Sequence, residues 1–164
     1  TRNVGSARIS GVEVNYRQAL TFLPSWARGV QIFANGTYND LDGNQDADFN
    51  NFATRTANWG ISLNRPRYSV KLNWNGNDDI RVNRIAPSAA FPEDTYFWVT
   101  HRATMDASFE LRLNRKFSIF GTARNLTNRR VTRDRYAPET PEYAYNNRYL
   151  KVGAFVSLGV KGEF

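Results

Sequence analysis

The last sixteen residues of the chain, Tyr149 to Phe164, alternate between apolar and mostly polar side chains. The apolar register comprises Leu150, Val152, Ala154, Val156, Leu158, Val160, Gly162 and Phe164. Alternation with a period of two predicts a β-strand that has one apolar face. Such a strand is long for a soluble protein, where about 5–6 residues is usual, and it exceeds the roughly 9–11 residues with which a tilted strand crosses a bilayer. The run therefore predicts the closing strand of an outer-membrane β-barrel.

The same alternation occurs in six earlier segments. We expect strands over residues 1–23, 30–39, 57–64, 68–75, 97–113 and 117–123, before the last strand at 149–164. No segment predicts a helix. Short breaks at 24–29, 64–67 and 114–116 alternate with long irregular segments at 40–54, 76–96 and 125–147. The sequence therefore predicts an all-β, antiparallel, up-and-down transmembrane barrel, of which residues 1–164 supply about seven strands.

The lengths of the connections orient this predicted barrel. Bacterial outer-membrane barrels have short periplasmic turns and long extracellular loops, so the three short breaks are expected in the periplasm if Phe164 ends there. Aromatic side chains favour the two membrane interfaces. We expect Tyr68, Phe117 and Phe164 near the inner rim and Tyr38, Trp74 and Phe97 near the outer rim. A soluble barrel or sandwich, with the apolar register turned towards a core, is the alternative.

The strand count and the termini predict that the chain is part of something larger. Single-chain bacterial barrels have an even number of strands, whereas seven are predicted here. The sequence starts at Thr1 and has no signal peptide, so we expect a piece of a longer precursor that supplies the earlier strands.

Composition limits the classes of function. No run approaches the 18 apolar residues of a membrane helix, but alternating strands conceal a membrane protein from hydropathy windows. Cysteine is absent, which excludes disulfides and thiolate metal sites. The net charge of +7 is spread over many segments, so it fits a polar barrel interior and loops near anionic lipid better than a nucleic-acid surface.

The residues offer little to catalysis or metal binding. His101 is the only histidine and lies in an apolar register, so we expect an interfacial side chain and not a general base. The residues Asp40, Asp42, Asn44, Asp46 and Asp48 suggest calcium, but Gln45 replaces the glycine of an EF-hand loop, and a solvated loop is the preferred interpretation. We therefore expect no enzyme activity, no metal and no cofactor.

Two groups of side chains are candidates for binding. The last irregular segment concentrates aromatic and cationic residues, which suit a small-molecule or oligosaccharide ligand or, alternatively, pack on one another in a rigid loop: Arg133, Arg135, Tyr136, Tyr143 and Tyr145. Four charged residues share the polar face of the strand at 97–113: Arg102, Asp106, Glu110 and Arg112. They are expected to face the lumen, where they contact a plug or pair across strands.

Three features of the sequence resemble the C-terminal part of TonB-dependent outer-membrane receptors. Ser10-Gly11-Val12-Glu13-Val14 is similar to the "GvE" strand of that family. Ala123-Arg124-Asn125-Leu126-Thr127-Asn128 looks like its penultimate-strand signature, although Thr127 stands where an aromatic is usual. The alternating last strand that ends on Phe164 is the third feature, with Gly162 where tyrosine is frequent.

The resemblance implies a whole protein with a barrel of about 22 strands and a plug in its lumen. Such a receptor lies in the bacterial outer membrane and imports a scarce siderophore, vitamin or oligosaccharide. Its implied partners are outer-membrane lipid and lipopolysaccharide, the TonB complex through an N-terminal plug, and the barrel-assembly machinery, for which Phe164 is the signal. The alternatives are a non-transporting barrel for adhesion or anchoring and, poorly served by the lone His101, a barrel enzyme that acts on lipid.

Overall fold

A computed structural model describes residues 7–43 and 50–162, apart from the side chains at 146 and 147. The described residues are all-β: they form no α-helix, and their only helical turns are short 3-10 segments at Ser25–Ala27 and Glu142–Ala144. Phe164 and the predicted strand residues 1–6 lie outside the described residues. The strands are β1 Ala7–Ala19, β2 Val30–Gly43, β3 Arg55–Asn64, β4 Tyr68–Asn77, β5 Ile80–Arg84, β6 Tyr96–Val99, β7 Arg102–Arg112, β8 Phe117–Arg124, β9 Val131–Tyr136, β10 Asn146–Leu150 and β11 Phe155–Gly162.

Seven strands form the main sheet, which is antiparallel in the order β1-β2-β3-β4-β7-β8-β11. They correspond to the seven predicted segments, so the prediction of antiparallel strands is confirmed. The register places apolar side chains opposite one another on one face of the sheet. For example, Ile61 lies between Ile32 and Leu72. A slip of one residue would turn a strand's apolar set to the polar face. The strand order is that of an open sheet with β1 and β11 at its edges.

The other four strands form a second sheet in the order β10-β9-β6-β5. Each continues a main-sheet strand: β5 follows β4, β6 precedes β7, β9 follows β8, and β10 precedes β11. The second sheet therefore repeats the order of four neighbouring main-sheet strands, beyond what we call the junction end of the main sheet. The opposite end, which carries the short β1–β2, β3–β4 and β7–β8 connections, is the turn end.

Several predicted strands are wrong in extent. The strand predicted over 1–23 ends at Ala19, and the one predicted over 30–39 continues to Gly43. Two others are each divided between the two sheets. The segment 97–113 is divided between β6 and β7, which belong to different sheets. The sixteen-residue last strand is likewise divided into β10 and β11, with Gly153 at a φ of 84° between them. Residues 151–154 keep the alternation of side chains, but they carry no strand pairing. The pattern alone therefore concealed the break.

The prediction that 76–96 and 125–147 are irregular is also wrong, because these segments contain β5 and β9. Residues 50–52 of the first long segment approach the same sheet, where the Asn51 N–H donates a 2.7 Å hydrogen bond to the Arg81 carbonyl. All three long segments therefore reach the second sheet.

Very few apolar side chains are buried. Among the described residues they are Ala27, Tyr96 and Ala137. Many large apolar side chains of the main sheet are exposed, for example 41% for Phe109 in the interior of the sheet and 70% for Leu158 at its edge. Others, such as Leu72 and Met105, are half-buried between their neighbours in the sheet. No other described element covers this face, so the main sheet is not one half of a sandwich within the described residues.

Candidate functional surfaces

The apolar face of the main sheet is a large exposed surface that no other described element covers. Its longest register runs along β7 from Ala103 to Leu113. Ten rises of about 3.4 Å make roughly 34 Å, and a tilt of about 40° projects this to roughly 26 Å, close to the apolar band of about 25 Å on a transmembrane barrel. At that tilt, the length of this register matches the apolar band of a transmembrane barrel.

Aromatic side chains lie towards both ends of this face. Tyr68 and Phe117 begin β4 and β8 at the turn end, whereas Tyr38 and Trp74 lie nearer the junction end. Phe97 does not join them, because it lies in β6 and pairs with Arg135 in the second sheet. The prediction that Phe97 shares one strand with residues 102–112 is therefore wrong, while its place near an outer rim stays a prediction.

The opposite face of the main sheet is polar. Arg102, Asp106, Glu110 and Arg112 all lie on it and oppose Asn77, Asn73, Ser69 and Ser118. Asp106 accepts hydrogen bonds from Asn75 Nδ2 at 3.3 Å and from the Asn125 N–H at 2.8 Å. Within the described part of the chain none of the four forms an ion pair, so the cross-strand charge pairs considered from the sequence are not made there.

An aromatic stack on the second sheet is the candidate ligand site. The rings of Tyr136 and Tyr145 lie 4.0 Å apart between centroids, and those of Trp98 and Tyr136 lie 5.0 Å apart and almost parallel. Trp98 is the cross-strand partner of Asp134. The indole Nε1 and one carboxylate oxygen of these two residues are buried and have no hydrogen-bond partner among the described residues, so both retain hydrogen-bonding capacity there.

The surroundings of the stack favour neutral side chains. Burial raises the pKa of the Asp134 carboxyl, and the charge of Asp79 raises it further. Burial also raises the pKa of Tyr136 to about 12, with additional contributions from Asp79, Tyr145 and Asp134. Desolvation and nearby negative charge both disfavour an anion, so the Tyr136 phenol keeps its proton to a higher pH than a solvated tyrosine.

The structure brings together only some of the predicted ligand residues. Tyr136 and Tyr145 pack on each other, as the alternative interpretation of this segment proposed, whereas Tyr143 is 90% exposed. The Arg135 guanidinium lies 4.4 Å above the ring of Phe91, and Arg133 is exposed opposite Val99. Sequence reasoning missed Trp98, whose signal was an aromatic residue in the polar register of its segment.

Hydrogen bonds join the two sheets at the junction. The Asp79 carboxylate accepts from the His101 N–H and lies 3.1 Å from His101 Nδ1. Asn125 adopts a φ of 52°, donates from Nδ2 to the Gly153 carbonyl at 2.9 Å, and accepts from the Arg129 N–H at 2.9 Å. The Asn-Leu-Thr-Asn sequence thus forms a turn that ties β8, β9 and β11 together.

The described residues contain no group of three or more His, Cys, Asp and Glu that could hold a metal ion. Asp40 and Asp42 lie on β2 opposite Ser10 and Arg8, whereas Asn44, Asp46 and Asp48 lie outside the described ranges.

Comparisons with known proteins add no relative. No protein-family model, no curated protein and no solved structure matches the chain. In the described ranges, no helix has the length and apolar character needed to span a membrane.

Proposed function

We propose that the chain is the C-terminal part of the β-barrel of a TonB-dependent outer-membrane receptor, which binds and imports a siderophore, vitamin or oligosaccharide. The observation that carries the proposal is the continuous apolar face across seven paired strands. Monomeric soluble proteins rarely expose an apolar patch of more than a few hundred Å². Contact of this face with lipid tails would cost no free energy, whereas its contact with water is unfavourable.

The polar face and the sheet edges support the same proposal. A barrel built from this sheet would turn Arg102, Asp106, Glu110 and Arg112 towards its lumen, where a plug would meet them. Among the described strands, β1 and β11 are the edges of the main sheet, and an open sheet edge is costly in hydrocarbon. Further strands would pair with them and close the barrel.

The second sheet supports a receptor function. In the proposed orientation it projects from the outer surface, because it adjoins the long connections and lies opposite the short turns. It holds the aromatic stack of Trp98, Tyr136 and Tyr145 where a ligand arriving from outside would meet it. Aromatic rings and a few placed polar groups are typical of ligand sites.

Cysteine labelling tests the membrane location and the orientation together. The chain has no cysteine, so Glu139→Cys in the last long segment and Arg115→Cys in the β7–β8 turn each introduce its one thiol, in a full-length protein whose remaining cysteines have been replaced by serine. In intact cells a membrane-impermeant maleimide is expected to label the first variant and not the second. Arg115→Cys should react only after the outer membrane is permeabilised. Labelling of both variants in intact cells, or of Arg115→Cys alone, would refute the orientation.

A second measurement separates a receptor from a barrel that serves adhesion or anchoring. The coding sequence upstream of this segment is expected to encode a plug domain, and uptake of the nutrient should stop when TonB is deleted. A plug-less coding sequence would favour the anchoring barrel.

A further inference from the structure

An open pocket of about 560 Å³ lies on the polar face of the main sheet, towards the turn end. Its volume falls within the roughly 300–1,000 Å³ of small-molecule sites. Five neighbouring strands, β1 to β4 and β7, contribute to its lining. The aromatic stack belongs to the second sheet, so this pocket is a separate site.

An aromatic ring lies within this polar lining. Phe33 is on β2 and pairs with the buried Gly60 on β3. A Cβ on Gly60 would lie 2.6 Å from the Phe33 ring, which is closer than non-bonded carbon atoms approach. The glycine therefore leaves room for the ring to extend over β3, where it forms part of the pocket.

Two cationic side chains flank the Phe33 ring. The Lys71 ammonium lies 4.7 Å from the ring centroid, although Lys71 is on β4 and Phe33 on β2. Arg17 on β1 is the cross-strand partner of Phe33 on its other side. The backbones of β1 and β4 are about 14 Å apart, at about 4.8 Å for each strand spacing. Because Lys71 reaches over β3 to the ring, its charge lies closer to Arg17 than the backbones do.

Neither cation is neutralised within the described part of the chain. Arg17 and Lys71 form no ion pair there, and both side chains are exposed. The carboxylates of Asp106 and Glu110 lie on the neighbouring β7, but no aspartate or glutamate of the described ranges lines the pocket. A cation–π contact leaves the ammonium positively charged. The pocket therefore presents positive charge to a ligand.

Neutral polar side chains make up much of the remaining lining. Amide and hydroxyl groups both donate and accept hydrogen bonds, as the hydroxyl groups of a ligand do. Three amides and three hydroxyls are present: Asn15, Asn35, Asn64, Ser62, Ser69 and Ser108.

We propose that this pocket binds an anionic, hydroxylated small molecule, a sugar that carries a phosphate or a carboxylate, with the anionic group between Arg17 and Lys71. Guanidinium and ammonium groups form charge-assisted hydrogen bonds with either anion. Phe33 is a positioning residue, because its ring holds the Lys71 ammonium in the pocket. This site goes beyond the proposed function and does not depend on it, since it requires solvent at the polar face and no particular medium at the apolar one.

Isothermal titration calorimetry on the complete protein that contains this chain, purified in neutral detergent, tests the ligand class. Glucose, glucose 6-phosphate and glucuronate differ only at carbon 6, so they isolate the anionic group, and inorganic phosphate tests that group without a sugar. At least one of the two anionic sugars should bind about tenfold or more tightly than glucose. The tighter of the two identifies the anionic group. Inorganic phosphate should bind more weakly than that sugar.

Substitutions locate the site. Arg17→Gln and Lys71→Gln should each weaken binding of the tighter anionic sugar about fivefold, with little change for glucose, since each removes one charge-assisted contact. Arg124→Gln, on the same face at the junction end, is the matched control and should change neither. Phe33→Leu should lower the preference for the anionic sugar over glucose, because leucine offers no cation–π contact to Lys71.

Equal binding of glucose and both anionic sugars would overturn the role of the charge. Equal binding of inorganic phosphate and the anionic sugar would overturn the sugar contacts. No binding of any probe, or unchanged binding in both Arg17→Gln and Lys71→Gln, would overturn the site, including the case in which another part of the complete protein fills it. Arg17 and Lys71 are exposed, so their variants keep the test decisive if Phe33→Leu does not fold. Absence of the protein from the outer-membrane fraction would refute the proposed function and leave the pocket standing.

Discussion

The main sheet exposes many of its large apolar side chains, whereas the second sheet stacks the rings of Trp98 and Tyr136 against each other. Leu158 on β11 is one of the most exposed large apolar residues of the molecule, while Trp98 and Tyr136 are half-buried in a stack. The two sheets nevertheless share strand order and are joined through four connected pairs of strands. Their difference therefore lies in the side chains, not in the topology.

This difference points to two surroundings. The main sheet leaves its apolar face for an external medium to cover, and only an apolar medium does so favourably. The second sheet makes its own contacts, because rings stack and arginines lie on aromatic faces, as Arg81 does on Tyr96 at 4.6 Å. Such a surface suits water. Under the proposed function, the connected strands would pass from the membrane into water at the junction.

The largest expected effect on stability comes from placing an arginine on the apolar face of the main sheet, compared with an arginine at a matched position in the second sheet. Leu158→Arg, near the middle of β11, should cost about 2–4 kcal/mol of unfolding free energy in a bilayer. In water the same exposed position would tolerate arginine within about 0.5 kcal/mol. Urea unfolding of the protein in lipid vesicles, together with recovery from the outer-membrane fraction, measures the difference.

Leu150→Arg on β10 is the matched control for this experiment. Leu150 is also exposed, at 47%, and lies eight positions earlier in the same alternating run. It belongs to the second sheet, so we expect a change within about 0.5 kcal/mol. Equal small effects of both arginines would show that the two sheets share an aqueous environment.

The main sheet could be predicted from the sequence because its strands alternate with a period of two. The second sheet could not. Along β9 the residues Arg133 and Arg135 alternate with Asp134 and Tyr136, which leaves no apolar register to detect. The run from Phe97 through Ala103 keeps its parity across the boundary between β6 and β7, so the two strands appeared as one.

Alternation reports which face a side chain takes and says nothing about hydrogen bonding. The break at Gly153 therefore leaves no trace in the alternation of side chains. Its φ of 84° is one that glycine adopts without strain. The aromatic stack of the second sheet was likewise only partly predictable from the sequence. The tyrosines of the last segment were visible as composition, but their contact with Trp98 depends on the pairing of β6 with β9, which are separated by more than thirty residues.

A second, smaller effect would test the connection between the two sheets. Asn125→Ala removes three side-chain hydrogen bonds and places alanine at a φ of 52°. We expect a local loss of about 2–3 kcal/mol, since a left-handed alanine costs at least about 1 kcal/mol and three net hydrogen bonds at about 0.5 kcal/mol each add about 1.5 kcal/mol. Hydrogen exchange should accelerate in β9 and β10 but not in β4 and β7.

Asn125→Gly separates the two causes, because glycine accepts the backbone conformation and loses only the side-chain bonds. Its exchange rates should lie between those of the wild type and those of Asn125→Ala. Uniform acceleration across both sheets would contradict a local joint and would indicate that the sheets unfold as one unit.

The smallest effect concerns pH and should be confined to the second sheet. The pKa of Tyr136 is raised to about 12 from 10.0, so between these values the folded protein retains a proton that the unfolded chain has lost. Stability from this group is complete below pH 10 and is lost as the pH rises towards 12. Tyr136→Phe should therefore flatten the fall in stability of the second sheet across this window, measured by urea unfolding followed through the near-ultraviolet dichroism of the stack.

Asp79→Asn tests the pKa of Tyr136 without altering any of the stacked aromatic side chains. Because the charge of Asp79 helps to raise the pKa of Tyr136, its removal should lower that pKa and shift the tyrosinate absorbance change to lower pH. The shift should be absent in the double variant with Tyr136→Phe. Identical slopes for the wild type and Tyr136→Phe between pH 10 and 12 would mean that the stack is open to water, and the contrast between the two sheets would then rest on the apolar face alone.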